Sequence, residues 1–152
     1  GPLVMREYWD DPEATRAAIR PGRWLNTRDV GRLENGKLYI ASRKQDLILR
    51  GGENVYPFEI EQRLEAHPAI AQAAVNGVDH EELGQEVKAV VVFEEGQRLD
   101  DEALRNWVAD TLDYYKVPRL WETRIAPLPR NATGKVLKNA LRDAQESMFI
   151  EE

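Results

Sequence analysis

Ser42-Arg43-Lys44-Gln45-Asp46-Leu47-Ile48-Leu49-Arg50-Gly51-Gly52-Glu53-Asn54-Val55-Tyr56-Pro57-Phe58-Glu59-Ile60-Glu61 is the stretch on which the reading of the fold turns. Leu47 to Leu49 is a short apolar run suited to a buried strand, Gly51-Gly52 interrupts it, and Pro57 followed by Glu59 and Glu61 opens a helix. A charged approach, a strand, a double glycine and a fresh helix make a joint. Two adjacent glycines carry no Cβ, so the backbone there reaches positive φ and admits a close neighbour. Taken alone, the pair fits a tight turn as well as a place where a long thin ligand passes against the chain.

Upstream of the joint, Asp10-Asp11-Pro12-Glu13-Ala14 supplies a cap, a proline at the first helical position and an acid in the first turn. That predicts a short helix to about Ile19, ended by Pro21-Gly22. Trp24 to Leu33 and Lys37 to Ala41 read as extended segments joined by the Asn35-Gly36 hairpin signal. Downstream, Ile60 and Leu64 share one face of the helix that starts at Pro57, Glu59, Glu61 and Glu65 lie on the other, and His67-Pro68 stops it. Ile70 to Val78 and Val87 to Phe93 read as buried strands around a polar turn, and Leu120 to Ala126 as a third. Asp100-Asp101-Glu102 caps a helix with Leu104, Trp107, Val108 and Leu112 on one face. Val136 to Ala144 returns to helix with Leu137 and Leu141 inward, and fraying is expected from Ser147. The expected fold class is α+β: a small two-layer domain whose three-stranded, mainly antiparallel sheet is packed by helices, preceded by a short hairpin. Trp9, Trp24 and Trp121 need partners for their apolar surface.

The 152 residues suffice for one modest core. A net charge of −6 opposes non-specific binding to nucleic acid, and there is no basic run with interleaved aromatics. No apolar stretch approaches the length of a membrane span and no signal-like start appears, so a cytoplasmic soluble domain is the plain expectation. The lack of cysteine removes disulfides and thiolate metal sites, and two scattered histidines, His67 and His80, make no metal centre. Gly1-Pro2 reads equally as a cleavage scar or as native sequence.

The order Arg-Lys-x-Asp-x-Ile-x-x-Gly-Gly-Glu-Asn-Val-Tyr-Pro-x-Glu-Ile-Glu closely resembles the joint between the large and small domains of adenylate-forming enzymes. That superfamily holds the acyl-CoA synthetases, peptide-synthetase adenylation domains and luciferases. Met5-Arg6-Glu7-Tyr8-Trp9, Thr27-Arg28-Asp29 and Gly31 resemble the end of the family's large domain. Tyr115-Lys116-Val117-Pro118 and Leu128-Pro129-Arg130-Asn131-Ala132-Thr133-Gly134-Lys135-Val136 are similar to its final signature. The resemblance runs in order over nearly the whole chain. It implies that residues 1–44 are the end of the large ATP- and acyl-binding domain, 45–146 a mobile C-terminal lid and 147–152 a frayed tail. It also implies an ATP-dependent acyl-CoA synthetase of the fatty-acid or aryl-acid branch, whose partner is its own large N-terminal domain and whose substrates are a carboxylic acid, ATP and coenzyme A. Mg2+ would accompany ATP on ligands in the large domain, and this stretch alone would be inactive.

The resemblance assigns roles residue by residue. Lys135 is implied as the catalytic amine that meets the reacting phosphate; without the family context, a lysine after Thr-Gly is a solvated turn residue. Asp29 and Arg43 are implied to hold the ATP ribose, against the plainer reading of a surface ion pair. Arg28 stands where the family usually has glycine, and Gln45 where its hinge usually has Asp or Lys. Gly51 and Gly52 are implied to line the tunnel for the pantetheine arm of coenzyme A. Lys116 and Arg119 would meet that cofactor's phosphates, or simply form a solvated face. Two rival readings stand beside this one: an adenylation domain that loads a carrier protein, and a non-catalytic binding module. Gly-Gly-Glu-Asn-Val-Tyr-Pro favours the CoA ligases.

Overall fold

A computed structural model describes residues 1–141, and the chain divides into two compact units, Gly1–Gln45 and a second that begins at Asp46. In the first unit, α1 (Pro12–Ala18) is capped by Asp11, whose Oδ1 accepts the Ala14 N–H at 2.8 Å. The short strands β1 (Ile19–Arg20) and β2 (Trp24–Leu25) pair antiparallel. Strands β3 (Asp29–Glu34) and β4 (Lys37–Arg43) form the expected hairpin, turning through positive φ at Asn35 and Gly36. Opposed residues of such a ladder share a face, so Leu33 with Leu38 and Gly31 with Ile40 make one side of this ribbon apolar. Trp9 and Trp24 remain exposed.

The second unit holds a five-stranded sheet. Its strands are β5 (Ile48–Arg50), β6 (Glu53–Val55), β7 (Ile70–His80), β8 (Gly84–Phe93) and β9 (Leu120–Arg124), in the order β6-β5-β8-β7, with β9 running parallel along β8. The expected three-stranded sheet corresponds to β7, β8 and β9, and the strand expected at Leu47–Leu49 forms as β5, with Leu49 exposed rather than buried. Strand β6 is added because the Gly51-Gly52 turn folds Glu53–Val55 back onto Ile48–Arg50, and Arg50 then bridges Gly84.

Helices α2 (Pro57–Glu65) and α3 (Asp101–Ala109) cover one face, where Ile60, Leu64, Leu104 and Val108 meet Ala73, Val75, Ala89 and Val91. The alternate residues Ala74, Val90 and Val92 pack against Leu128 and Leu141 on the other face. This two-sided burial is why β8 reads as an almost unbroken apolar run. Arg63 and Trp107 clasp α2 to α3: the guanidinium carbon lies 3.6 Å from the ring centroid, and each side chain donates to the other's carbonyl.

Glu61 and Glu65, read from the sequence as part of the polar face of α2, accept the Val75 and Ala73 N–H groups along the β7 edge, at 2.7 and 3.1 Å. An edge strand presents unpaired donors, and these carboxylates satisfy them. Leu137 is exposed because the closing helix starts at Lys138 rather than Val136; Leu141 is inward as expected. The expected continuation to Ala144 and the tail from Ser147 lie outside the described residues. Among the described residues no helix is long and apolar enough to cross a membrane.

A buried ion pair ties the β5 turn to β8. Arg50 Nε and Nη2 donate to Glu86 Oε1 and Oε2 at 2.6 and 3.0 Å, and Val87 N–H also donates to Oε1. Burial by itself would raise the Glu86 pKa, but the Arg50 hydrogen bonds, the Val87 N–H and the charges of Arg50 and Arg119 outweigh it and hold the carboxyl below its usual value. The unfolded chain therefore binds the proton first as pH falls, and this contribution is complete above the ordinary glutamate value of about 4.3 and lost below it. Urea melts across pH 3 to 7 are expected to show that acid limb. Glu86→Gln should remove about 3 to 5 kcal/mol at neutral pH by leaving the guanidinium buried without its carboxylate, and should flatten the limb.

Candidate functional site

In the first unit, Asp29 and Arg43 are opposite one another across the β3–β4 ladder, with Arg43 Nε 3.2 Å from Asp29 Oδ1. Arg28 precedes this pair in the left-handed region, at φ 60. Three hydrogen bonds hold it there: Lys44 N–H to Arg28 O at 2.8 Å, Arg28 N–H to Asn26 Oδ1 at 3.1 Å, and Asp29 N–H to Thr27 Oγ1 at 3.3 Å. Arginine thus adopts the conformation that glycine takes freely, at a strain of about 1 kcal/mol. Gln45 is exposed in the 3-10 turn Lys44–Asp46, at the division between the two units.

In the second unit, Gly51 and Gly52 turn through φ +56 and +90. Gly51 N–H donates to Leu83 O at 2.8 Å, while a Cβ added at Gly52 would meet nothing within 4 Å. One edge of this turn is therefore open backbone. Its base is Arg50, whose Nη1 also donates to Tyr115 O at 3.4 Å. That bond brings the Tyr115–Arg119 segment beside the double glycine.

The two basic residues of that segment differ. Lys116 Nζ is 3.0 Å from Glu59 Oε1 and 3.3 Å from Asp113 Oδ2, and is mostly buried. Burial would lower its pKa; the Glu59 and Asp113 carboxylates outweigh that and raise it above the usual lysine value. Arg119 is exposed, with only a 3.9 Å approach of Nε to Glu86.

Lys135 closes a compact loop. Asn131 N–H donates to Lys135 O at 2.9 Å, Gly134 N–H to Asn131 O at 2.9 Å, and Gly134 stands at φ +83. The stem is held by the Arg130–Val136 bridge and by Leu137 N–H to Pro129 O at 2.8 Å, and rests on buried Leu128 and Leu141. The Lys135 side chain is exposed, and among the described residues its ammonium has no hydrogen-bond or ion-pair partner. Nor does any such bond among the described residues join it to Gly51, Gly52, Lys116 or Arg119. One compact unit thus carries two separate features: an open amide turn beside a basic segment, and a loop ending in an exposed amine with no partner among the described residues.

Residues 59–135 match the family model for the AMP-binding enzyme C-terminal domain. The chain belongs to that family. Among curated proteins this AMP-binding C-terminal domain is 44% identical over 146 residues to a long-chain-fatty-acid–CoA ligase of Bacillus subtilis, covering 95% of this chain and 26% of the ligase. It is 46% identical over 144 residues to a 2-succinylbenzoate–CoA ligase of Geobacillus kaustophilus, covering 93% of this chain and 29% of that enzyme. The o-succinylbenzoate CoA synthetase of Bacillus subtilis, solved with its acyl-adenylate intermediate, superposes with a TM-score of 0.87 at 37% identity over 93% of this chain and 29% of that one. The chain therefore spans under a third of the length of these relatives.

Sequence reasoning missed Asn131, Glu86 and Arg50. An Asn two residues before a Thr is a turn signal, and a charged residue closing an apolar strand is a pairing signal; the sequence contains both. The histidines are structural: Nδ1 of His67 accepts Ala69 N–H, and that of His80 accepts Glu82 and Leu83 N–H. Among the described residues no group of three His, Asp or Glu side chains is placed to hold a metal ion. Because Lys116 is buried in its ion pairs and Arg119 is not, Lys116→Ala should lower stability by about 1 to 2 kcal/mol and Arg119→Ala by less than about 0.5, measured by chemical denaturation.

Proposed function

We propose that this family member is the mobile lid of a longer ATP-dependent acyl-CoA synthetase, acting in both halves of acid activation. The observation that carries this is the pairing, on one compact unit, of a Lys135 ammonium that has no partner among the described residues with a separate open double-glycine turn. The CoA-ligase relatives, and the one solved with an acyl-adenylate, support it. In the first half a carboxylate oxygen attacks the α-phosphorus of ATP and pyrophosphate leaves. Negative charge spreads over the phosphoryl oxygens, and the Lys135 ammonium donates to them. In the second half the thiolate of coenzyme A attacks the acyl carbonyl and AMP leaves. Gly51 and Gly52 then offer a wall without side chains to the pantetheine arm, and Arg119 an exposed guanidinium, only loosely paired with Glu86, to its phosphates. Lys116 could reach a phosphate only by giving up Glu59 and Asp113, so Arg119 comes first. Asp29 accepts the ribose hydroxyl hydrogens, with Arg43 holding its carboxylate in place.

Two features on one body, with no contact between them, serve one reacting centre only if the body reorients between steps. Gln45, exposed at the division of the two units, is where backbone rotation would do this. The 152-residue chain by itself is inactive in this reading, because its partner is the larger ATP- and acid-binding part.

In the complete enzyme, Lys135→Ala should cut acyl-adenylate formation by about 100- to 1000-fold and spare thioester formation from supplied acyl-adenylate. Equal loss of both halves, read as pyrophosphate release and as thioester yield, sinks the assignment. Gln45→Pro should fix φ and leave one half-reaction near its normal rate with the other strongly slowed. Normal rates in both would place the hinge elsewhere. Supplying coenzyme A or a pantetheinylated carrier protein as acceptor, with AMP release as the readout, separates a CoA ligase from a carrier-loading enzyme.

A further inference from the structure

We propose that Asn131 is a positioning residue that sets the launch point of the Lys135 side chain, an inference that rests on the adenylation role of Lys135 given above. Asn131 makes five hydrogen bonds within the loop it begins. Its backbone N–H donates to Lys135 O at 2.9 Å and its carbonyl accepts Gly134 N–H at 2.9 Å. Its side-chain Oδ1 accepts three more: Thr133 N–H at 3.1 Å, Thr133 Oγ1–H at 2.8 Å and Lys135 N–H at 2.8 Å. Arg130 Nη1 closes the outer edge onto Gly134 O at 2.7 Å.

These bonds lock the backbone on both sides of Lys135. Below them, Leu128 and Leu141 sink the stem into the sheet, and Lys138 Nζ pairs with Glu61 Oε1 at 2.6 Å, tying the chain just beyond the loop to α2. The stem is thus anchored by burial and by charge, whereas the tip is exposed and ordered chiefly through one side-chain oxygen. What remains free is the four-carbon arm of Lys135. An ammonium that must meet charge developing on a phosphate works best when its attachment point is already fixed, because no loop ordering is then needed at the moment of reaction.

The chemistry of the contact makes a sharp demand. All three side-chain bonds use Oδ1 as acceptor, so the site requires an oxygen at that place rather than an amide. Aspartate supplies that oxygen; alanine and the similarly shaped leucine do not. Because the loop has no bond to the double-glycine turn, its loosening should leave the thiol-dependent half untouched.

The test uses the complete enzyme with Asn131→Ala, Asn131→Leu, Asn131→Asp and Lys135→Ala, and a long-chain fatty acid and 2-succinylbenzoate as trial acids. ATP–pyrophosphate exchange reads the first half, and thioester formation from supplied acyl-adenylate the second. Asn131→Ala and Asn131→Leu are expected to lower kcat for exchange by about 10- to 100-fold with the KM for ATP little changed and the second half intact. Asn131→Asp is expected to recover most of the rate. Unchanged exchange in Asn131→Ala, or equal loss of both halves, or no recovery with Asp, overturns the role of Asn131 while an inactive Lys135→Ala leaves the lysine assignment standing. Normal exchange in Lys135→Ala overturns both.

Discussion

Strand β8 has to be buried on both faces, and the second unit is built to satisfy that demand. Val87, Ala89 and Val91 turn toward α2 and α3, while Val90 and Val92 turn toward Leu128 and Leu141. A strand covered on one side only would leave several valine side chains in water, each worth about 1.5 to 3 kcal/mol when fully buried. The C-terminal segment is therefore part of the core as well as the carrier of Lys135. The amine's loop is mounted on a surface that cannot shift without opening the sheet.

At the start of β8 the constraint changes from apolar to ionic. Glu86 receives Arg50 from the β5 turn, and Arg50 in turn reaches the Tyr115 carbonyl. Two charges leave water together there, which is tolerable only with good geometry, and the two-pronged pairing provides it. Such a pair adds little net stability over an apolar contact of the same shape. It does tie three distant segments together, the double-glycine turn, the Lys116 segment and the sheet. Lys116 extends the tie to the first turn of α2 through Glu59.

The outcome is one compact unit with two exposed features held by different means: an amide turn pinned by charge, and a lysine loop pinned by burial and by Asn131. In the proposed reaction, preorganisation of this kind would lower the ordering needed at each step. In the proposed reading, alternation between them falls to the backbone outside this unit.

By itself the sequence determined the local elements. Pro57 after an extended Tyr56, Asp100 ahead of its helix, Asn35-Gly36 and the unbroken run of β8 each carry their signal within a few residues, because caps, turns and strand burial are near-neighbour effects. The family signature likewise lies in contiguous motifs. Only the tertiary structure decided what those elements meet. Glu61 reads only as part of the polar face of its helix until β7 places an edge N–H group beside it, and Leu137 reads as core until the helix starts at Lys138 rather than Val136. Arg50 and Glu86 are separated by 36 positions, and no local pattern announces their contact. Pairings of that kind depend on the register between strands, which is fixed when the whole sheet closes and not before.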